Sequence, residues 1–583
     1  MNHFRFLFLF QMLCFWTLGQ NVNHFNYDTL KYRYLTFGDL DSMDISSKRF
    51  STSFMFSDLN QEAYLINPAF LFAPGNTVYK NFNSEVPQIQ FTALPHIGLG
   101  YVMGAQGTQK LNFDYEQAFK HGFLINCSVD NFKTNGFFRN SQSVLNRYNF
   151  SLARNARRHS FQFFVFATKD QRNWSGGLKD DSLIEVFAPE LIPIGKENAQ
   201  STLKNIYAGF NNKFAIVQDS LMSFGIATSH SYSRLKRFYI EEDSISSLYA
   251  NVFIDSTNTF DSLVQHNIRN SSGLYFKRKK LDFEAGVQSD YWSYQAFQFK
   301  NDTLEVGLYS KFDLTIKKFH IYQKGNFNLL GASSGIDNLT GFQMSFGSLN
   351  FQFSHKFSNQ LPSVFQRYFY SNNVVYKTVN PQKQLYQNYN FTVGKNIGKQ
   401  HIKLDYTFGQ FKQVYQFDGN QQIWRNDLTT SEGLFQQIAL NSNLNWRAFH
   451  SNLTYRFTAM DESKRFVPSH VFDSRFYLKG GIFKAKKLKA LLGLELMVAS
   501  SYKRLNFNPQ MTIFDIEQSI TNLNAKGFMN AGVFSAFEVE TFRLFIRMDN
   551  LAYFWQDKKI ELLSGYAFPS PQIKVGITWD FWN

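Results

Sequence analysis

Beyond its first twenty residues the chain holds a single cysteine, Cys127. One thiol cannot form an internal disulfide, so no covalent staple is available, and a structural metal site of the CxxC type is excluded with it. Long apolar runs are also missing. Past the N-terminus nothing approaches the roughly 18 residues that mark a membrane-spanning helix. If this chain enters a bilayer it must do so as a closed barrel, because only helices and barrels satisfy their backbones in lipid. Helical periodicity is scarce after residue 96. The 12 histidines are scattered without HExxH spacing, so no zinc site is indicated.

What is abundant is aromatic carbon. Phe (67) and Tyr (29) bring the aromatic share to 18%, yet the mean hydropathy is −0.31. Large apolar side chains are therefore diluted among polar ones. Two designs give that balance: a soluble β-protein with half-buried sheets, or a membrane barrel that is apolar outside and polar inside. The formal charge is +15. Basic excess suits anionic partners. An exported chain would rarely meet nucleic acid, which leaves lipopolysaccharide and anionic solutes as the better fits.

Export is the reading of residues 1–19. Arg5 supplies a positive start, Phe6 to Trp16 an apolar stretch, and Thr17 and Gly19 the small residues before a cut at Gln20. Cys14 is preceded by QML, which lacks the small residues of a lipidation site.

Period-two alternation dominates the remainder. In PQIKVGITWDFWN at the end of the chain, Ile573, Val575, Ile577, Trp579 and Phe581 share one face. Lys574, Gly576, Thr578, Asp580 and Trp582 share the other. The same pattern recurs at 111–119, 148–152, 402–408, 453–459 and 542–549. It marks strands with one apolar face. Segments 401–411, 436–447, 489–501 and 526–539 match the about 9–11 residues of a transmembrane strand, not the about 5–6 of a soluble one. Connections alternate in length. KHG (120–122), NARR (155–158), KKL (279–281), KKF (317–319), KNIGKQ (395–400), KKLK (486–489) and ET (540–541) are short. Those near 131–146, 169–202, 235–269, 331–340, 412–435, 502–525 and 552–571 are long and polar. Membrane barrels sort their turns in this way. Several short turns are basic, which solvates a turn and can also meet lipid headgroups. Pairing of 97–104 with 572–582 would close the ring, and about ten hairpins, a weak one around 341–378 among them, give 18 to 22 strands.

Residues 87–119, PQIQFTALPHIGLGYVMGAQGTQKLNFDYEQAF, resemble the opening of the "putative porin" family of Bacteroidota outer membranes. The resemblance is carried by Pro95, Tyr101, Val102, Met103, Gly104, Gln109 and Gln117. NGFFRNS (135–141), the Gly pair at 176–177 and SHKFSNQLPS (354–363) extend it. The ending is similar to the signal strand read by the barrel assembly machinery. The resemblance implies a β-barrel channel. It carries no substrate and no site residues.

The expected architecture is all-β: a transmembrane antiparallel barrel over 87–583, preceded by a short N-terminal segment (20–86) in the periplasm or lumen. The expected function is an outer-membrane porin for passive diffusion of small solutes, with no cofactor, no metal and no catalysis. The alternatives are a gated, energy-coupled (TonB-type) receptor and a secretion-associated or structural barrel. Candidate lumen-facing charges are Asp114, Glu116, Lys403, Asp405, Arg456, Arg543, Arg547, Asp549, Lys574 and Asp580, because wall charge biases permeating ions; ion pairs that merely fill a wide lumen are the plainer account of them. GASSG (331–335) fits G-x-S-x-G with Ser333, but it lies between strands where the nucleophile elbow needs a helix, and no Asp–His partners assemble. Asp39, Asp41 and Asp44 lack the spacing of a calcium loop and read as a solvated turn. RYFYSNNVVY (367–376) offers aromatics for stacking sugars, with girdle or loop packing as the more ordinary use.

Overall fold

The computed structural model describes residues 94–582, apart from 188–190, 244–248, 250, 332–333, 419–420, 429–430, 462–464, 484–486 and 516–523. The expected leader (1–19), the segment 20–86, the Asp39/Asp41/Asp44 cluster and Ser333 lie outside the described residues.

Twenty-two antiparallel strands form one closed sheet. In chain order they are β1 His96–Gly104, β2 Thr108–Ala118, β3 Phe123–Thr134, β4 Ser143–Asn155, β5 His159–Trp174, β6 Ala199–Gln218, β7 Met222–Glu241 and β8 Thr259–Arg278. There follow β9 Leu281–Ala296, β10 Phe299–Ile316, β11 Phe319–Leu330, β12 Gly335–Phe346, β13 Leu349–Gln360, β14 Gln384–Ile397 and β15 Gln400–Lys412. The last are β16 Gly433–Trp446, β17 Phe449–Met460, β18 His470–Ile482, β19 Leu488–Ala499, β20 Phe528–Val539, β21 Phe542–Asp549 and β22 Gln572–Trp582. Each strand pairs with its neighbour in sequence, and β1 pairs with β22 from His96↔Trp582 to Gly104↔Lys574. The ring therefore has no edge, which is what a β-structure in lipid requires.

Alternation sets the register. On β22, Ile573, Trp579 and Phe581 are exposed, whereas Lys574 and Gln572 are buried. On β15, Ile402 and Leu404 are exposed across from Lys403 and Asp405. A one-residue slip would exchange the walls, so the apolar face fixes the pairing. The outer wall is not uniformly apolar. His230 on β7 and Asn270 on β8 hydrogen-bond at 2.9 Å, and His159 meets Asn212 at 2.6 Å; these groups satisfy one another, which lowers their cost in hydrocarbon. On the inner wall a Cβ at Gly576 would stand 2.3 Å from the Phe545 ring. The glycine is the space into which that ring lies flat.

The connections sort by side. At the end carrying the start of β1 and the end of β22 are 119–122, 156–158, 219–221, 279–280, 317–318, 347–348, 398–399, 447–448, 483–487 and 540–541. All seven short turns named from sequence fall there, and Lys279, Lys317 and Arg447 take the positive φ that such tight turns demand. The opposite end carries 135–142, 175–198, 242–258, 361–383, 413–432, 461–469, 500–527 and 550–571, and also the tight turns 105–107 and 297–298.

Two parts of the sequence reading are corrected. The weak hairpin at 341–378 is two complete strands, β12 and β13, followed by a long loop, 361–383. Several long connections are shorter than expected, since β6, β7 and β8 run for 20 residues each into 169–202 and 235–269. Toward those strand ends outward Gln200, Thr202, Lys204 and Lys236 mix with Phe238, Ile240 and Phe260, and the alternation fades there.

Candidate permeation pathway

Strand pleat places the ten candidate charges on the wall opposite the exposed apolar residues. Five of them fall into two chains of alternating sign near the closure of the barrel. Arg547 is sandwiched between Glu495 (2.7 Å) and Asp549 (2.5 Å). Glu495 also takes Arg475, and Asp549 takes Lys574 at 3.0 Å. The second chain runs from Lys489 to Glu538 (2.7 Å), Arg543 (3.1 Å), Asp580 (3.5 Å) and His96 (3.1 Å). Asp114 lies in the field of His96, Asp130 and Asp580. Glu116 accepts from Asn126 at 2.9 Å. Across the barrel, Lys403 pairs with Asp405 at 3.0 Å, and Asp405 also accepts from Thr392 and Asn441. Arg456 is half-buried on β17, between Ala439 and Val471 in register.

Sequence reasoning missed a third group, on β6 to β10. Glu284 holds both Lys213 (2.8 Å) and Lys311 (3.2 Å), and Asp290 holds Arg269 (2.7 Å). The carboxylates are 8% and 2% exposed, whereas Lys213, Lys311 and Arg269 are 48%, 53% and 52% exposed. Cationic tips thus project past the anions that anchor them. The alternation of LEVGLYSKFDLTI (304–316) could have found Lys311. Between these groups the wall of β13 to β15 carries Gln352, Ser354, Asn390 and Thr407 among its inward residues.

The long loops fold together over the loop-side mouth. Residues 361–383 make a single helical turn, Val364–Arg367, closed by a Ser363/Gln366 capping box, and then the hairpin Tyr368–Tyr370/Val375–Lys377. The stretch 367–376 is thus loop packing: Phe369 and Tyr376 join Leu263, Tyr294, Phe417, Trp424 and Met511 in one apolar cluster. A second cluster unites Trp174, Tyr386, Phe411, Phe466, Tyr502 and Leu563. Both combine inward residues from the strand tops with loop residues. Between the loops lies a buried polar knot. The Gln510 side chain donates to Asp261 (2.7 Å), and Arg237 donates to the Gln510 carbonyl and to Thr512 (3.0 Å). The Asn372 backbone also donates to Asp261 (2.8 Å), and the Asn372 side-chain oxygen receives the N–H groups of Ile254 and Asp255. At the rim, Lys196 donates to Glu241 (2.5 Å) and Tyr249 (2.6 Å), and burial holds its ammonium below the usual lysine range. Gly177 and Gly565, both at positive φ, let two loops meet backbone to backbone.

Among solved structures the fold is similar to the siderophore receptor PirA from Acinetobacter baumannii, with a TM-score of 0.61, 10% identity, and 85% of this chain and 81% of that chain covered. It is also similar to the FrpB iron transporter from Neisseria meningitidis (TM-score 0.59, 9% identity, 84% and 82% covered). The ferric-catecholate import receptor Fiu from E. coli K12 gives 0.58 and 10%, with 85% and 83% covered. At these identities the likeness concerns the fold. No curated protein matches the sequence. Residues 13–583 match the family described as "Putative porin", and the chain belongs to that family.

Proposed function

We propose that the protein is an outer-membrane porin through which small solutes diffuse along a polar lumen, without a chemical step and without a cofactor. The observation that carries this reading is the two-faced wall: apolar residues outward and paired charges, amides and hydroxyls inward, on a ring of 22 strands. Family membership and the likeness to outer-membrane receptors support the location. Assembly would rest on the barrel machinery reading β22. Wall charge then sets ion preference. Since Lys213, Lys311 and Arg269 reach farther into the lumen than Glu284 and Asp290, anions are favoured.

A second reading, gated uptake by an energy-coupled receptor, is favoured by the loops packed over the mouth and by the strand number, since 22-stranded outer-membrane transporters have plugged lumens. Planar-bilayer conductance and liposome swelling separate the two. A porin gives steady conductance and swelling in small neutral solutes with no energy source. Liposomes that stay sealed to every small solute reject passive diffusion.

A further inference from the structure

On the outer wall three lysines stand side by side on adjacent strands. Lys169 on β5 is the register partner of Lys204 on β6, and Lys204 is that of Lys236 on β7. Arg234, two residues along β7, shares their face, opposite His266 on β8. Their outward placement follows from their neighbours: Thr168, Asp170, Leu203, Asn205, Leu235 and Arg237 are all buried on the inner side. Like charges directly opposed on neighbouring strands destabilise a sheet. No aspartate or glutamate occupies an outward position on β4 to β9 to relieve them. The Arg234 Nε is shut off from water with no hydrogen-bond partner. Among the described residues, therefore, nothing on these strands supplies the ladder with an anion.

Its height says where that anion would lie. From Phe224, near the turn side, to Arg234 β7 advances ten residues. At about 3.3 Å per residue and a tilt near 40° this is about 25 Å, the height of a barrel's apolar band. The cations sit at the loop-side edge of that band. Directly below them the outer wall carries Val165, Ala167, Ile206 and Ala208.

We propose that Lys169, Lys204, Lys236 and Arg234 bind the phosphate groups of an outer-leaflet glycolipid, whose acyl chains lie along Val165, Ala167, Ile206 and Ala208. A phosphate monoester carries up to about two charges and three acceptor oxygens. It can bridge the ammonium groups while the guanidinium takes it in bidentate fashion. A soluble phosphate would satisfy the cations but leave the apolar surface beneath them unused, which favours the lipid as the source. The proposal rests on the outer-membrane location proposed above, with the long loops external and the short turns periplasmic as in membrane barrels, and not on conduction through the lumen.

The test is native mass spectrometry of the purified full-length protein in detergent with added bis-phosphorylated lipid A. The wild type should retain it. The triple variant Lys169→Gln, Lys204→Gln, Lys236→Gln should retain it at least about tenfold more weakly, with heat-modifiable gel mobility intact. The single variant Lys204→Gln should show a smaller loss and guards against a folding defect in the triple. Lys317→Gln/Lys318→Gln, at the opposite rim, should bind as wild type. Equal retention by the triple variant overturns the site. So does equal retention of dephosphorylated lipid A by the wild type, which would make the acyl chains sufficient. Full displacement by inorganic phosphate would make it a soluble-anion site and overturn the lipid assignment. Bilayer conductance of the triple variant should equal that of the wild type; a non-conducting wild type that retains the glycolipid would reject the porin and leave this site standing.

Discussion

Ile577 and Gln352 occupy opposite walls and should answer a charge in opposite ways. Ile577 lies mid-strand on β22 among outward apolar residues. Ile577→Arg puts a guanidinium in hydrocarbon, at a cost of roughly 2–4 kcal/mol near the midplane, read as a lower folding yield in liposomes. Gln352→Arg, on the inner wall of β13, should fold normally and shift the reversal potential further toward anions. The residue after Ile577 is a poor inner-wall control, although alternation alone would nominate it: Thr578 is the register partner of Arg543, and an arginine there would crowd a like charge. Asp549 is a different case. It lies between Arg547 and Lys574, and all three are about 2% exposed. Asp549→Asn leaves two buried cations without that charge and should cost about 3–5 kcal/mol, seen as a fall in the temperature at which gel mobility changes. Lys311→Gln should instead weaken anion preference with little effect on stability, because its ammonium is half-exposed and Glu284 keeps Lys213.

At the scale of elements, the loops over the mouth are held by few but well-placed groups. Gln510→Ala removes the donor to Asp261 and loosens 500–527 against 361–383; hydrogen exchange in both loops should rise. Acid should do the same. Asp427 is held below its ordinary value of 3.8 by the hydrogen bond from Arg425, Asp557 by that from Lys526, Asp180 by Ser182 and Asp255 by the Thr257 backbone. A carboxylate with a depressed folded pKa adds stability that is present above 3.8 and is lost as pH falls through the folded value. Loop exchange should therefore be flat near neutrality and climb below pH 3.8. A profile that rises well above pH 3.8 would point to histidine or to Asp261, the carboxylate buried in the polar knot, and against these four carboxylates.

For the molecule as a whole, the barrel and its mouth make separate demands. The ring of strands is complete without the loops, since β1 and β22 close it and each intervening strand has two neighbours. Deleting 365–379 should leave outer-membrane assembly intact and raise conductance, because Phe365, Phe369 and Tyr376 leave the cluster over the mouth. Unchanged conductance would show that the pathway bypasses this loop.

The barrel was legible in the sequence because a membrane wall meets two solvents, and every strand must record both in alternating residues. Strand type, the closing pair, the turn side and the outward face of β22 all follow from that constraint, which is local and repeats every two residues. The inward charges were legible as a face, but their partners were not. Arg547 meets Glu495 across β19, β20 and β21, a distance of 52 in sequence. The extended tops of β6 to β8 were hidden because the order of the faces is lost there: inward Ala199, Tyr239 and Leu263 pack into the apolar clusters under the loops, while outward residues mix Lys204 and Lys236 with Phe238 and Phe260. The packed mouth was hidden for a related reason. Tyr294, Phe369, Trp424 and Met511 come from four separated segments with no common period, and only the curvature of the closed ring brings them over one opening. The lysine ladder belongs to the tertiary structure in the same way: Lys169, Lys204 and Lys236 lie far apart in the chain, and it is the register of three strands that sets them side by side.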